Sequence, residues 1–236
     1  WSLLRAAERQ ALTPIVEDAL WSAVEDTTDS SKKKLYFESF ASVALSPGAL
    51  DRLLAIWRGT MVVEGLNLSE NDSIDLASSL AIKLPDQADT ITRTQLDRIN
   101  NADRRRRFEF VIPALSSDQQ TRDDFFASLA DADNRSREPW VLHGLRALHH
   151  PLRTNDSEKY LLPSLELLQE IQQTGDIFFP ARWLDASLAN YHSAIAVDTV
   201  RNFLAQRPDY NAQLRLKILQ AADQMFRAQR ILANDQ

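Results

Sequence analysis

The apolar residues near the C-terminal end of the sequence recur every three or four positions. In "PDYNAQLRLKILQAADQMFRAQRIL", the apolar residues that share one stripe are Leu214, Ile218, Ala222, Met225 and Phe226. This spacing places side chains on one face of a helix that has 3.6 residues per turn. Because the same period recurs along most of the chain, it predicts a fold made of helices.

Turn and capping residues divide the helical pattern into about a dozen segments. Thr13 followed by Pro14 predicts the start of one helix, and Gly59 predicts the end of another. Ser69 and Asp72 have the spacing of a capping arrangement that begins a further helix. The chain has only five glycines and nine prolines, which is too few turn residues for an all-β protein.

Helices joined by short links pack antiparallel to their neighbours, and a long series of them forms either a bundle or a curved stack of helix pairs. We therefore predict an all-α fold, an α-α superhelix of the HEAT or armadillo kind. No fixed repeat is legible, but degenerate two-helix repeats rarely show one. We expect residues 1–236 to form a single helical-repeat domain.

The stretch "TGDIFFPARW" interrupts the helical pattern of the second half of the chain. Gly175 suits the left-handed end of one helix, and Pro180 suits the first turn of the next. Three apolar side chains, Ile177, Phe178 and Phe179, then lie on the link, and apolar side chains in such a place are best buried. We predict a packed joint here, with both phenylalanines buried between the two helices.

The charge balance and the lack of cysteine limit the possible partners. The formal net charge is −6 and the pI is near 5.3, whereas nucleic-acid binding needs a local excess of lysine and arginine. We therefore predict no nucleic-acid partner. No apolar run approaches the roughly 20 residues of a membrane helix, so we predict no membrane segment. Cytoplasm and periplasm both stay open as locations.

Three histidines lie close together in the sequence, at positions 143, 149 and 150, and histidine is a common metal ligand. Two ligands on one helix bind one ion at positions i and i+4, whereas His143 and His150 are about 10 Å apart along the helix axis. His149 and His150 precede Pro151 at a helix end, where the helix dipole favours an imidazole. We therefore predict a structural or solvated role for these residues. The sequence offers no catalytic, cofactor-binding or metal-binding residue.

Four consecutive arginines, Arg104, Arg105, Arg106 and Arg107, stand out in "DRRRRFEF". Guanidinium groups bind phosphates and carboxylates through paired hydrogen bonds. Alternatively, the run is a solvated helical surface, because four successive residues point to every side of a helix and acidic residues flank them.

Three stretches carry a resemblance to a known family: "REPWVLHGLRALHHPLR", "LLPSLELLQEIQQTGDIFFPARWLDASLA" and "VRNFLAQRPDYNAQLRLKILQAADQMFRA". They resemble the C-terminal helical domain of bacterial zinc aminopeptidases of the aminopeptidase N family. The segment "GALDRLLAIWRGTMVVEGLNLSENDSIDLASSLA" is similar to an earlier part of the same domain. The likeness extends from about Phe40 onward.

The resemblance implies a multi-domain parent enzyme, of which this chain is the last, HEAT-like part arching over the active site. The zinc of such an enzyme belongs to its catalytic domain. The H-E-x-x-H zinc ligands and the G-x-M-E-N substrate loop of the family have no counterpart in this sequence. The resemblance therefore transfers no catalytic or metal residue to this chain, and we expect no cofactor in this segment.

We accordingly expect a non-catalytic domain that walls the active site and limits or guides peptide access. Its partners would be the catalytic domain of the same parent chain and the peptide substrate. The candidate substrate-binding residues, which would attract the peptide's C-terminal carboxylate, are Arg104, Arg105, Arg106, Arg107 and Arg182. The alternative is a free-standing helical-repeat scaffold that binds a protein partner through its concave face.

Overall fold

The computed structural model describes residues 3–234. Over that range the chain forms fourteen α-helices and four short 3-10 turns, and contains no β-strand. The prediction of an all-α fold is confirmed. The helices belong to two compact units, one covering Ala6–Glu109 and the other formed by Phe110 onward together with the residues before Ala6. We call them the N-terminal unit and the C-terminal unit.

The N-terminal unit is a stack of helix pairs. Its helices are α1 (Ala6–Asp26), α2 (Ser30–Val43), α3 (Pro47–Arg58), α4 (Glu70–Lys83), α5 (Ala88–Arg98) and the first part of α6 (Ala102–Leu115). Helix α1 packs on α2, and α4 packs on both α3 and α5. The buried side chains between them include Phe40, Leu53, Ile74, Leu80 and Ile91.

The C-terminal unit is built around α12. Its helices are the rest of α6, α7 (Gln119–Ser128), α8 (Glu138–Leu148), α9 (Thr154–Ser157), α10 (Leu161–Glu166), α11 (Leu168–Thr174), α12 (Phe179–Leu188), α13 (Ala194–Ala205) and α14 (Ala212–Asn234). Helix α12 contacts α8, α10, α11 and α14, and α13 contacts α10 and α14. Trp183 of α12 is fully buried in this core.

Local capping signals were predicted well. The Ser69 hydroxyl accepts a hydrogen bond from the Asp72 backbone N–H, and the Asp72 carboxylate accepts one from the Ser69 N–H in return. This is the predicted capping box at the start of α4. Gly59 ends α3 with a φ of 78°, in the left-handed region that favours glycine.

The predicted helix start at Thr13 and Pro14 is wrong. Helix α1 already begins at Ala6 and contains Pro14 in its interior. The Thr13 hydroxyl donates to the carbonyl of Arg9, 2.7 Å away, instead of accepting from a backbone N–H as a cap would. A threonine-proline pair inside a helix gives the same sequence signal as one at its beginning.

The joint after α11 departs from the prediction at three residues. Gly175 has a φ of −102° and a ψ of 177°, which is extended backbone and not a left-handed helix end. Glycine is needed there for space, because a Cβ would lie 2.6 Å from Cδ1 of Phe179 and 3.0 Å from the carbonyl oxygen of Ile171. Phe179 is 1% exposed, as predicted, but Phe178 is 58% exposed and Ile177 is 76% exposed. Phe178 precedes the first residue of α12 and lies outside the core.

Candidate functional site

An open cavity of about 530 Å³ lies in the C-terminal unit, beside the turn that connects α13 to α14. The turn contributes Arg207, Asp209 and Tyr210 to its lining, and the last helical turn of α13 contributes Phe203. Glu166 comes from the end of α10. Cavities of this volume are in the range that holds small ligands or single side chains of a peptide.

Three contacts hold the guanidinium of Arg207 in place. It lies 4.2 Å from the centroid of the Phe203 ring, in a cation–π arrangement. Its Nη1 donates to the Phe203 carbonyl over 3.4 Å, and its Nη2 lies 3.5 Å from Oε1 of Glu166. These contacts fix the position of the only basic side chain among the residues that line the cavity.

Two aromatic rings form the apolar part of the lining. The rings of Phe203 and Tyr210 meet edge to face, with centroids 5.2 Å apart. Burial raises the pKa of Tyr210, and its buried hydroxyl has no hydrogen-bond partner within residues 3–234. The sequence analysis did not identify this cavity, although an arginine and a tyrosine in "AQRPDY" follow the aromatic residue of an amphipathic helix.

The four consecutive arginines lie on α6, in the N-terminal unit. Arg104 forms an ion pair with Glu70 over 2.7 Å, and this hydrogen bond lowers the pKa of Glu70. Arg107 donates to the side-chain amide oxygen of Asn71 over 3.4 Å. Both contacts attach α6 to the first turn of α4.

The other two arginines of the run point elsewhere. Arg105 donates to the carbonyl of Leu96, near the end of α5, over 2.9 Å. Arg106 donates to the Ala102 carbonyl of its own helix, and its side chain is exposed. The structure therefore does not bring the four guanidinium groups to one surface, and three of them already bind other helices.

Arg182 belongs to the C-terminal unit, in the first half of α12. Its side chain is exposed, and the guanidinium lies 5.6 Å from the centroid of the exposed Phe178 ring. An aromatic ring and an arginine in this arrangement leave the outward N–H groups of the guanidinium accessible to solvent. Arg182 is thus an exposed candidate of the kind that the sequence analysis proposed.

Buried arginines bind the carbonyl groups at helix ends, a role that the sequence analysis missed. Arg153 donates to the carbonyls of Ala114, Leu115 and Ser116, where α6 ends. Arg122 donates to the carbonyls of Ser116 and Ser117 over 2.7 and 2.8 Å. The last carbonyls of a helix have no partner within the helix, and a guanidinium can satisfy several of them at once.

A third arginine repeats this arrangement at the end of α7. Arg135 donates to the carbonyls of Leu129 and Ala130 and forms an ion pair with Glu170 of α11. The side chain is almost fully buried. A long charged residue after a helix gives no sequence signal that separates this role from a solvated one.

His149 is part of the core of the C-terminal unit. Its Nδ1 lies 2.6 Å from the hydroxyl of Tyr191, and the imidazole is fully buried. Burial lowers the pKa of His149 to about 3, so the ring is neutral at physiological pH. Within residues 3–234, no group of three or more histidine, cysteine, aspartate or glutamate side chains is arranged to hold a metal ion.

The described residues define an all-helical protein made of packed helix pairs. None of the helices between residues 3 and 234 is both long enough and apolar enough to cross a membrane. No protein-family model matches the chain, and no curated protein matches its sequence closely enough to count as a relative.

Proposed function

We propose that this chain is the non-catalytic, C-terminal helical domain of a zinc aminopeptidase, and that it forms one domain over residues 1–236. The domain would wall the active site of its parent enzyme and limit or guide the access of peptides. Zinc would be held by the parent's catalytic domain, which is the direct partner of this chain in the proposal.

The observation that carries the proposal is that helices pack against one another within each of the two described units. Stacked helix pairs expose long surfaces along which a peptide can lie, and they do so without a catalytic group of their own. The proposal that the parent enzyme is an aminopeptidase comes from the resemblance of the three quoted stretches to the aminopeptidase N family. The residues described here offer no set of three zinc ligands, so no step of that reaction is assigned to them.

The exposed arginines are the proposed contacts of a peptide's C-terminal carboxylate. Arg182 and Arg106 have exposed side chains, whereas Arg104, Arg105 and Arg107 are partly covered by their contacts with other helices. A guanidinium that already donates to a neighbouring helix loses that contact when it turns to a ligand. We therefore rank Arg182 and Arg106 above the other three as ligand contacts.

The quickest test is the coding sequence upstream of Trp1. An H-E-x-x-H sequence there, followed by a glutamate ligand, supports the proposal. A start codon immediately before Trp1 contradicts it and favours the alternative, a free-standing scaffold that binds a protein partner.

The functional test compares the intact parent enzyme with a form that lacks residues 1–236. Catalytic efficiency is measured on a series of peptides of increasing length and on a single-residue anilide, after circular dichroism has shown that the truncated form is folded. We expect truncation to change the dependence on peptide length more than it changes cleavage of the anilide. An identical length dependence in both forms would falsify the access role.

A further inference from the structure

The lining of the cavity beside the α13–α14 turn contains one further carboxylate and two side-chain amides besides the Arg207–Glu166 pair. Its one guanidinium, Arg207, already donates to the Phe203 carbonyl and faces Glu166. Asp209 makes no hydrogen bond or ion pair with the residues between 3 and 234. The side-chain amides of Gln169 and Gln206 each add a carbonyl oxygen that accepts and an NH2 group that donates.

The charges of the lining also favour a cation. Two carboxylates, on Glu166 and Asp209, outnumber the single guanidinium of Arg207, so the lining carries a net negative charge. The whole chain has a formal charge of −6, which raises the local concentration of cations near such a cavity.

We propose that this cavity binds one cationic side chain, lysine or arginine, presented by a peptide. The inference rests on the proposed function only in taking a peptide as the ligand. The incoming cation donates to the carboxylates of Asp209 and Glu166 and lies against the ring of Tyr210. The cavity volume of about 530 Å³ is sufficient for one such side chain with its flanking backbone.

The cavity already contains one example of the contact that we propose. Arg207 lies over the Phe203 ring at 4.2 Å and faces a carboxylate, so an aromatic ring and an acid together hold a guanidinium at this place. Tyr210 and the exposed Asp209 offer the same two chemical groups on the adjoining turn, and no cation between residues 3 and 234 pairs with Asp209.

An anionic ligand fits this lining less well. A carboxylate would have to compete with Glu166 for Arg207 and would meet the charge of Asp209. Like charges in close contact weaken binding, whereas an added cation is attracted by both carboxylates. This cavity is therefore a different kind of site from the exposed arginines that we propose for a peptide carboxylate.

The test uses the 236-residue chain and two small probes, N-acetyl-arginine amide and N-acetyl-citrulline amide. Citrulline has nearly the shape of arginine but carries no charge. Binding is followed by titration with amide chemical shifts in NMR spectra. We expect saturable shifts at residues 203–210 and at Glu166 with the arginine probe, and about tenfold weaker binding of the citrulline probe.

Single-residue variants test which carboxylate accepts the hydrogen bonds of the arginine probe. D209N is expected to weaken binding of the arginine probe by about tenfold, since it removes one charged acceptor without changing the size of the side chain. D198N is the matched control, because Asp198 is an exposed aspartate of α13 that does not line the cavity. The melting temperature of each variant shows whether it is folded, and E166Q provides a second test if D209N is unfolded.

Equal affinity for the two probes, no saturable shift with the arginine probe, or equal binding by D209N and D198N would overturn the inference. Tighter binding of an acetylated peptide with a free C-terminal carboxylate than of its amide would identify an anion site instead. These results do not depend on the parent enzyme. The length dependence of the truncated enzyme tests the proposed function separately, so the two proposals can fail independently.

Discussion

The hydroxyl of Tyr191 lies 2.6 Å from Nδ1 of His149, and neither side chain reaches solvent. The other ring nitrogen, Nε2, has no hydrogen-bond partner within residues 3–234. A charged imidazole would be unstable in this place, because desolvation penalises the protonated form and no acid is within hydrogen-bond distance. The folded chain is therefore stable only while His149 is neutral.

This pair predicts a specific sensitivity to acid. The pKa of His149 is lowered from 6.5 to about 3 in the folded chain, so the unfolded chain binds the proton first as the pH falls. Stability should decline below about pH 6.5 and continue to decline towards pH 3. Between pH 6 and pH 4, we expect wild type to lose up to about 1.4 kcal/mol per pH unit more than H149Q.

The measurement is urea unfolding of wild type and H149Q at a series of pH values. H192Q serves as the control, because His192 is a partly exposed histidine. Parallel pH curves for wild type and H149Q would show that His149 titrates normally in the folded state.

Removing the guanidinium of Arg153 should destabilise the C-terminal unit. R153M leaves the carbonyls of Ala114 and Leu115 without their side-chain donor. The Ser116 carbonyl keeps its hydrogen bond from Arg122. We expect a loss of about 3 kcal/mol in the free energy of unfolding. R153K should recover only part of the loss, since an ammonium group does not have the flat fork of a guanidinium. R146M is the control on the exposed side of α8, where we expect a change below about 0.5 kcal/mol. Equal unfolding midpoints for R153M and R146M would exclude a capping role.

The two neighbouring phenylalanines of the joint should respond differently to truncation. Phe179 is fully buried and its ring packs edge to face on Trp183, with centroids 6.0 Å apart, so F179A should cost roughly 3–5 kcal/mol. F178A should cost less than about 1 kcal/mol, because most of that side chain is exposed. Thermal or urea unfolding of both variants checks this order, and an equal loss in both would contradict the structure of the joint.

Because folding favours the neutral form of Lys83, the free energy of unfolding should rise between pH 8 and pH 10. Burial lowers its pKa from 10.5 to about 8, while its ammonium group donates to the carbonyls of Ala41 and Ser42 at the end of α2. Between pH 8 and pH 10 the unfolded chain holds the proton that the folded chain has lost, so stability rises with pH in this range.

The comparison for this prediction is K83M, which has no group to titrate. We expect wild type to gain about 2 kcal/mol over K83M between pH 8 and pH 10. Urea unfolding at each pH gives the difference. A constant difference between wild type and K83M would contradict the lowered pKa.

The sequence predicted what depends on neighbouring residues and failed where contacts are distant in the chain. The capping box of Ser69 and Asp72 and the left-handed Gly59 involve only a few consecutive residues, and both were predicted. The role of Gly175 depends on where the Phe179 ring packs, and its left-handed conformation was predicted wrongly. Periodicity gave the helices but did not separate an apolar residue inside the joint from its exposed neighbour.

The cavity could not be predicted for the same physical reason. Its lining combines Glu166 from α10 with Arg207, Asp209 and Tyr210, which lie about forty positions later in the chain. No spacing rule connects two stretches so far apart. The consecutive arginines drew attention because they are adjacent in sequence, although the fold directs them to different helices.

The arginines that bind helix ends also bear on how this protein can be engineered. Arginine outnumbers lysine by more than three to one in this sequence. Exchanging arginines for lysines across the whole chain is a familiar way to alter solubility, and it assumes that a positive charge on the surface is interchangeable. Here the exchange would also remove the planar groups of Arg122, Arg135 and Arg153, each of which donates to carbonyls at the end of a helix. Solubility variants should therefore keep these three residues and change only arginines whose guanidinium groups face water.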